Sequence, residues 1–316
     1  MKRVLVTGAN GFIGQRVISY LNGKCHIRAS LRKDNAVFDH VLDGIDFDTV
    51  TIGNLSGQTN WSHALSDVDV IIHLAGRAHI TNDTAESPID EFRKVNRDAS
   101  LCLLKQAAQY KVSRLVFVSS IGVNGNTTEG SPFCEESVPN PVADYALSKL
   151  EAEQLLVEEA SRLGIELTIV RPPLVYGPSA PGNLDKLIKL VKLSPILPFG
   201  LVNNRKSFIS IDNLADFLVT CAFHPKAANE LFLIADDQVI STKDLTRLLA
   251  KSAKRSLVNI PVPLSLLKLT ARMFGKGSMA IQLFDDLVID NSKAKDLLGW
   301  KPVLSTELAV RRCIEE

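Results

Sequence analysis

Along the first half of the chain, short charge-free apolar runs alternate with longer amphipathic stretches. Val4-Leu5-Val6 stops at Thr7-Gly8, and an amphipathic helix is predicted over 12–22. A β-branched run of this kind fits a central parallel strand covered on both faces. Further strands are predicted at His26–Leu31, Thr49–Ile52, Val70–Leu74, Leu115–Val118 and Leu167–Val170. A short helix is predicted over 61–66, and long ones over 89–110 and from Asp144 to about Leu163. In the 89–110 stretch, Phe92, Val95, Leu101, Leu104 and Ala108 keep roughly helical spacing. Strands alternating with helices predict an α/β protein with a doubly wound parallel sheet. After Arg171-Pro172-Pro173 the pattern changes, with Gly177-Pro178, Pro181-Gly182 and the stretch from Pro195 to Gly200 as punctuation. A smaller, discontinuous α/β unit is expected there, while 205–222 reads as a strand and helix returning to the first unit.

The first apolar run leads into TGANGFIG, with Gly8, Gly11 and Gly14 at intervals of three. Between a strand and a helix this spacing fits a dinucleotide: Gly8 turns the chain, Gly11 admits a pyrophosphate and Gly14 brings the helix close to the strand. The helix presents its positive N-terminal end to that phosphate. Gly8, Asn10, Gly11, Phe12, Ile13 and Gly14 are therefore the candidate cradle. A strand–turn–helix without a ligand is the plain alternative. About 20 residues on, where an acid would favour NAD, the chain has Ser30, Leu31, Arg32 and Lys33. Arg32 would pair with a 2′-phosphate, so NADP is the expected cofactor, with NAD possible; a solvated loop Arg is the alternative. Asn54, with Leu55 beside it, is a candidate for the adenine edge, or else an Asx-turn amide. Leu74, Ala75 and Gly76 follow the fourth strand and permit close cofactor approach. Pro172, after the sixth, completes the cofactor set. The dinucleotide unit is expected over 1–172 plus about 205–224, and the substrate unit over 173–204 plus about 225–316.

Composition removes several alternatives from the 316 residues. Lys+Arg (36) and Asp+Glu (35) nearly cancel, so no global field favours nucleic acid or an anionic membrane. Cys25, Cys102, Cys134, Cys221 and Cys313 are odd in number and widely spaced, as expected of reduced thiols in a cytoplasmic protein. The histidines show no metal spacing, and no metal is expected. The N-terminus does not read as a signal peptide. Apolar stretches such as 260–271 are interrupted by Pro and Lys, so no membrane insertion is expected.

Carbonyl–alcohol chemistry beside a dinucleotide needs a proton donor or acceptor. Ser120 ends the fifth strand, and Tyr145 and Lys149 share a helix face one turn apart. A phenol has an ordinary pKa of about 10, and a nearby ammonium is expected to lower it. Tyr145 would then exchange a proton with an alcohol oxygen, Ser120 would fix that oxygen, and Lys149 would hold the cofactor ribose. A surface Tyr and a solvated Lys are the alternative. Asn96 lies on the 89–110 helix and points either at the site or outward. Arg77 and His79, after the fourth strand, are pocket or loop-surface residues.

TGANGFIG, HLAG (73–76), FVSS (117–120), YALSK (145–149) and RPPLVYGP (171–178) occur in that order. Together they resemble the extended short-chain dehydrogenase/reductase family, in its nucleotide-sugar epimerase/dehydratase branch. The resemblance implies a Rossmann domain, a smaller C-terminal domain binding a nucleotide-sugar, and a triad that falls on Ser120, Tyr145 and Lys149. It also implies a homodimer, with the helices over 89–110 and 144–163 as candidate contacts. Asn183 resembles the family's substrate-binding Asn. One of Arg205 and Lys206 resembles its diphosphate-binding Arg; Arg205 is taken because a guanidinium grips phosphate in two places. A basic surface patch with Lys186, Lys189 and Lys192 is the other reading. Arg77, Ser120, Asn183 and Arg205 form the expected substrate set. Departures narrow the activity. Ser120-Ile121-Gly122 replaces the Thr-Asp-Glu run of sugar dehydratases, so water elimination is not expected. Val123-Asn124-Gly125 stands where many epimerases have Val-Tyr-Gly. The reading taken is hydride transfer at C4 of a UDP-sugar, as a UDP-4-keto-(6-deoxy)-hexosamine reductase of surface-polysaccharide synthesis. The alternatives are a UDP-glucose or UDP-N-acetylglucosamine 4-epimerase, a small-ketone reductase, and a non-catalytic NADP(H) sensor or scaffold.

Overall fold

The structure is a computed structural model that describes residues 1–34, 37–78 and 86–315, without the side chains of Asn183 and Ser278. In chain order its strands are β1 (Arg3–Thr7), β2 (His26–Leu31), β3 (Asp48–Thr51), β4 (Val70–His73), β5 (Arg114–Val118), β6 (Glu166–Arg171), β7 (Val175–Tyr176), β8 (Ile196–Leu197), β9 (Ile209–Ser210), β10 (Leu231–Leu233) and β11 (Val258–Asn259). The α-helices are α1 (Phe12–Leu21), α2 (Ser62–Leu65), α3 (Pro88–Phe92), α4 (Ala99–Gln109), α5 (Asp144–Leu163), α6 (Asn183–Leu193), α7 (Ile211–Phe223), α8 (Thr242–Ser252), α9 (Leu264–Met273), α10 (Gly277–Phe284), α11 (Ser292–Leu298) and α12 (Thr306–Glu315).

Seven strands make one parallel sheet in the order β10-β6-β5-β4-β1-β2-β3. This is the Rossmann-type doubly wound arrangement. The chain reverses its direction of travel between β1 and β4, and ligands of open α/β sheets bind outside the carboxyl ends of the strands at such a point. Alternation along β1 explains the layers. Val4 and Val6 face α1 and α7 in one apolar cluster, while Leu5 faces α2, α4 and α5 in another. Strands buried on both faces have no polar side to show, hence their charge-free sequences. A third cluster unites Tyr176, Phe199 and Phe208 with side chains of α6, α8, α10 and α12. The two ribbons β7–β9 and β8–β11 are parallel pairs outside the main sheet.

Two segments differ from expectation. The stretch read as one helix over 89–110 is α3, a π-turn at Arg93–Asp98, and α4. Helical spacing survives such an insertion, so apolar periodicity alone does not reveal it. Leu231–Leu233, expected with the substrate unit, is the edge strand of the main sheet beside β6. Ala294, Leu298 and Trp300 likewise enter the first core. The reason is the far side of α7: the Phe217 ring packs edge-on to Phe232 and Trp300, at 5.5 and 5.1 Å between centroids. Trp300 also donates through Nε1 to Asp216 at 2.9 Å. All five cysteines are free thiols.

Candidate active site

The crevice at the β1/β4 exit is walled by backbone. Gly8 has φ +66°, and a Cβ there would stand 2.9 Å from the Ala75 nitrogen. A Cβ on Gly14 would collide with the Gly8 carbonyl and lie 2.8 Å from Ala9 Cα. Gly14 is thus what lets α1 sit against β1, and Gly8 what lets the two loops meet. Asn10 and Gly11 are exposed at the lip, and Gly11 N–H donates to Gly8 O at 3.0 Å. Ala75 and Gly76 add no bulk opposite. Backbone cradles with the free end of a helix suit a pyrophosphate, so these residues fit a dinucleotide. Phe12 turns the other way, into the third apolar cluster, within reach of Gly177 of the RPPLVYGP run.

The two strand exits are tied by a buried network that the sequence reading did not single out. Thr7 Oγ1 accepts from the N–H groups of Leu74 and Ala75, both at 3.1 Å. Its own hydrogen therefore goes to His73 Nδ1, 2.7 Å away. Ser100 Oγ donates to Asn96 O at 2.7 Å, so it accepts from His73 Nε2–H at 2.9 Å. This fixes one neutral tautomer of His73. Burial, helped by Lys149, pushes its pKa down to about 3.

The π-turn carries Asn96 into the interior, fully buried. Its Oδ1 accepts from Arg77 N at 2.8 Å, and its Nδ2 donates to Arg77 O at 3.1 Å and to Ser148 Oγ at 3.0 Å. Asn96 therefore clamps the loop after β4 against α5. Of the two orientations left open, the inward one is observed. Arg77 lays its guanidinium 5.4 Å from the centre of the Phe92 ring, and Phe92 meets the Tyr145 ring edge-on at 6.1 Å. His79 lies outside the described residues.

Lys149 is buried, and its Nζ donates to Val118 O at the end of β5, at 2.9 Å. The same nitrogen sits 4.6 Å from the centre of the Phe117 ring, and a Cβ on Gly76 would come within 3.5 Å of it. The ammonium thus lies beneath the crevice. Burial pulls its pKa down to about 8. Glu153, one turn further along α5, opposes this but is itself held by Arg171, at 3.0 Å from Nε. Arg171 also donates to Asn124 Oδ1 at 3.0 Å, so the first residue of RPPLVYGP locks α5 to the loop after β5. Ser120 Oγ accepts from Gly122 N at 3.1 Å, which leaves its hydroxyl hydrogen available. Pro172 is buried and takes the Ile121 N–H on its carbonyl. Tyr145 is half-buried at the start of α5, and its hydroxyl makes no hydrogen bond among the described residues. Its pKa is pushed up by burial to about 12. The expected lowering by an ammonium is not seen, because desolvation outweighs any help from Lys149.

Arg32 and Asn54 are exposed, at the ends of β2 and β3, and Leu55 packs under the sheet. At the other end of the crevice, Asn183 begins α6, with its side chain outside the description. Arg205 is exposed and tied down through its backbone alone: its N–H donates to Asp286 at 2.8 Å and its carbonyl accepts from Leu287 N–H at 2.9 Å. Its neighbour Lys206 is the buried cation. Its pKa falls to about 8 through burial, against Asp285 and Asp286, and its Nζ makes no hydrogen bond among the described residues. Of the two basic residues, Lys206 rather than Arg205 is therefore the inward one. Two residues further along, Phe208 lines an apolar cavity together with Leu174, Leu184, Leu187 and Leu283. No sequence signal separates Arg205 from Lys206: that 206–215 are all buried is seen only in the fold.

Residues 4–235 match the pattern of the NAD dependent epimerase/dehydratase family. The UDP-glucose 4-epimerase of Vibrio cholerae is 38% identical over 309 residues, covering 95% of this chain and 91% of that protein. Among solved structures, UDP-glucuronic acid 4-epimerase from Bacillus cereus, in complex with UDP-glucuronic acid and NAD, superposes with a TM-score of 0.79 at 21% identity. That match covers 99% of this chain and 98% of the other. RMD from Pseudomonas aeruginosa, complexed with NADPH, gives a TM-score of 0.71 at 20% identity over 100% and 98% of the two chains.

The buried ammonium has a measurable cost. Lys149 titrates near 8 in the folded protein against an ordinary value of 10.5. The penalty is therefore present below pH 8 and disappears as pH rises towards 10.5, where the unfolded chain also loses the proton. Lys149→Met should raise unfolding stability at pH 7 by about 1–3 kcal/mol, and the gain should vanish near pH 10.5. Chemical denaturation at the two pH values checks this; a less stable variant at pH 7 would contradict it.

Proposed function

Because this chain belongs to the NAD dependent epimerase/dehydratase family, and is thus an NAD(P)-dependent nucleotide-sugar enzyme of the extended short-chain dehydrogenase/reductase type, we propose that it moves hydride at C4 of a UDP-hexose. The reading taken is reduction of a UDP-4-keto-(6-deoxy)-hexosamine by NADPH, in surface-polysaccharide synthesis. The observation that carries it is the Lys149 ammonium, sunk at the end of β5 next to Gly76 and one helical turn from Tyr145. Such a charge has no structural need to be there and is costly to bury.

The bound nicotinamide would supply the hydride. Tyr145, a phenol protonated at neutral pH, donates its proton to the oxygen at C4. Ser120 uses its free hydroxyl hydrogen to hold the same oxygen, its lone pair being occupied by Gly122 N–H. Lys149 holds the cofactor ribose and stabilises the phenolate left on Tyr145. Lys206 and the Asn183 end of α6 receive the UDP portion. Arg32, exposed at the end of β2 with the first carboxylate only at Asp34, where it accepts from the Thr51 hydroxyl, supports NADP over NAD. The 4-epimerase reading is favoured by the Vibrio cholerae relative.

Incubation with a UDP-4-keto-6-deoxy-hexosamine should oxidise NADPH in proportion to product, and Tyr145→Phe should lower kcat by about 10²–10⁴-fold. Interconversion of UDP-glucose or UDP-N-acetylglucosamine with no net cofactor change would favour the epimerase instead. NADPH should bind more tightly than NADH, and Arg32→Ala should weaken NADPH about tenfold while leaving NADH unaffected. Equal affinities of the parent protein for both cofactors would refute the assignment to Arg32.

A further inference from the structure

The near-neutral total conceals one strongly uneven segment. Residues 245–284 contain no Asp or Glu and seven Lys or Arg, in a chain whose formal net charge is +1. Within it lies α9, a helix with no buried residue. One side of α9 is anchored: Leu264, Leu267 and Ala271 pack on the third apolar cluster. The opposite side repeats the pattern outward. Leu266, Leu269 and Met273 fall at i, i+3 and i+7 and are 50%, 55% and 76% exposed, and Phe274, which caps the helix, is 79% exposed. A helix apolar on both sides has a second face that the fold leaves without protein cover. Lys268 and Arg272, four apart, form a basic edge beside it, and Lys276 follows just past the helix, as the cap of α10. Lys268 pairs with Asp285 at 2.5 Å. Arg272 and Lys276, and also Lys254 and Arg255 before the helix, are exposed and form no ion pair among the described residues.

We propose that this face docks on a lipid bilayer bearing anionic headgroups. An apolar stripe bordered by cations, of which Arg272, Lys276, Lys254 and Arg255 form no ion pair among the described residues, matches a surface whose interior is hydrocarbon and whose headgroups are negative. Its ten residues span only about 15 Å, so the helix lies in the interface rather than crossing it. A second copy of the chain is the weaker occupant, because a two-fold contact would bring the basic stripes together. The surface explains why an amphipathic segment interrupted by Pro and Lys keeps large apolar side chains in solvent, and it does not depend on which sugar the crevice takes.

Flotation of the full chain with phosphatidylcholine vesicles, with and without about one-third phosphatidylglycerol, tests this. Binding should require the anionic lipid and fall as salt shortens the screening length. Arg272→Gln with Lys276→Gln should lower the partition coefficient about thirtyfold, and Leu269→Ser with Phe274→Ser at least tenfold. Turnover of a soluble UDP-sugar should be unchanged in both. Absent or lipid-independent flotation, or variants that float like the parent, would overturn the proposal. So would ultracentrifugation showing that these substitutions dissolve an oligomer that ignores vesicles.

Discussion

The hydroxyl of Thr7 holds two strand exits together, and the crevice exists because of it. It takes the N–H groups of Leu74 and Ala75 on its lone pairs and gives its hydrogen to His73. The chain leaving β4 is thereby held against the chain leaving β1 without any side chain standing between them. Leaving any one of these buried groups unpaired would cost about 1–3 kcal/mol. Thr7, His73 and Phe117 stand in register on β1, β4 and β5. The tie therefore reaches across the sheet to the ring under Lys149.

Around that tie, stability is given up locally for chemistry. Lys149 and Lys206 are both buried with their charges disfavoured. The acid that could neutralise Lys149, Glu153, is bound instead to Arg171. A cation kept hungry for an anion is of little use to a scaffold and of direct use to a binding site. The surrounding clusters, buried on both faces of a seven-stranded sheet, supply the stability that these positions remove.

Much of this was legible in the sequence where the cause is local. Charge-free runs marked β1, β4 and β5, and the three glycines marked the turn, because at Gly8 and Gly14 the backbone leaves no room for a Cβ. The helix from Asp144 to Leu163 was found at its bounds, ending at Gly164 in the left-handed region. Non-local causes were not legible. The π-turn that sends Asn96 inward is stabilised by Arg77 and Ser148, 19 and 52 residues away. Leu231–Leu233 joins the main sheet because β6 has a free edge and α7 a bare apolar side. The raised pKa of Tyr145 comes from desolvation, which spacing between Tyr and Lys does not encode. Which of the adjacent Arg205 and Lys206 faces inward is likewise set by the fold around them, and guanidinium chemistry does not encode it.

The central claim is that hydride passes between a held nicotinamide and C4 of the sugar in this crevice. NADPH carrying deuterium at the transferable position of nicotinamide C4, supplied with a UDP-4-keto-sugar, tests it most directly. Product analysed by NMR should carry the deuterium at sugar C4. Oxidised cofactor with no label in the sugar, or label at any other carbon, would contradict the account.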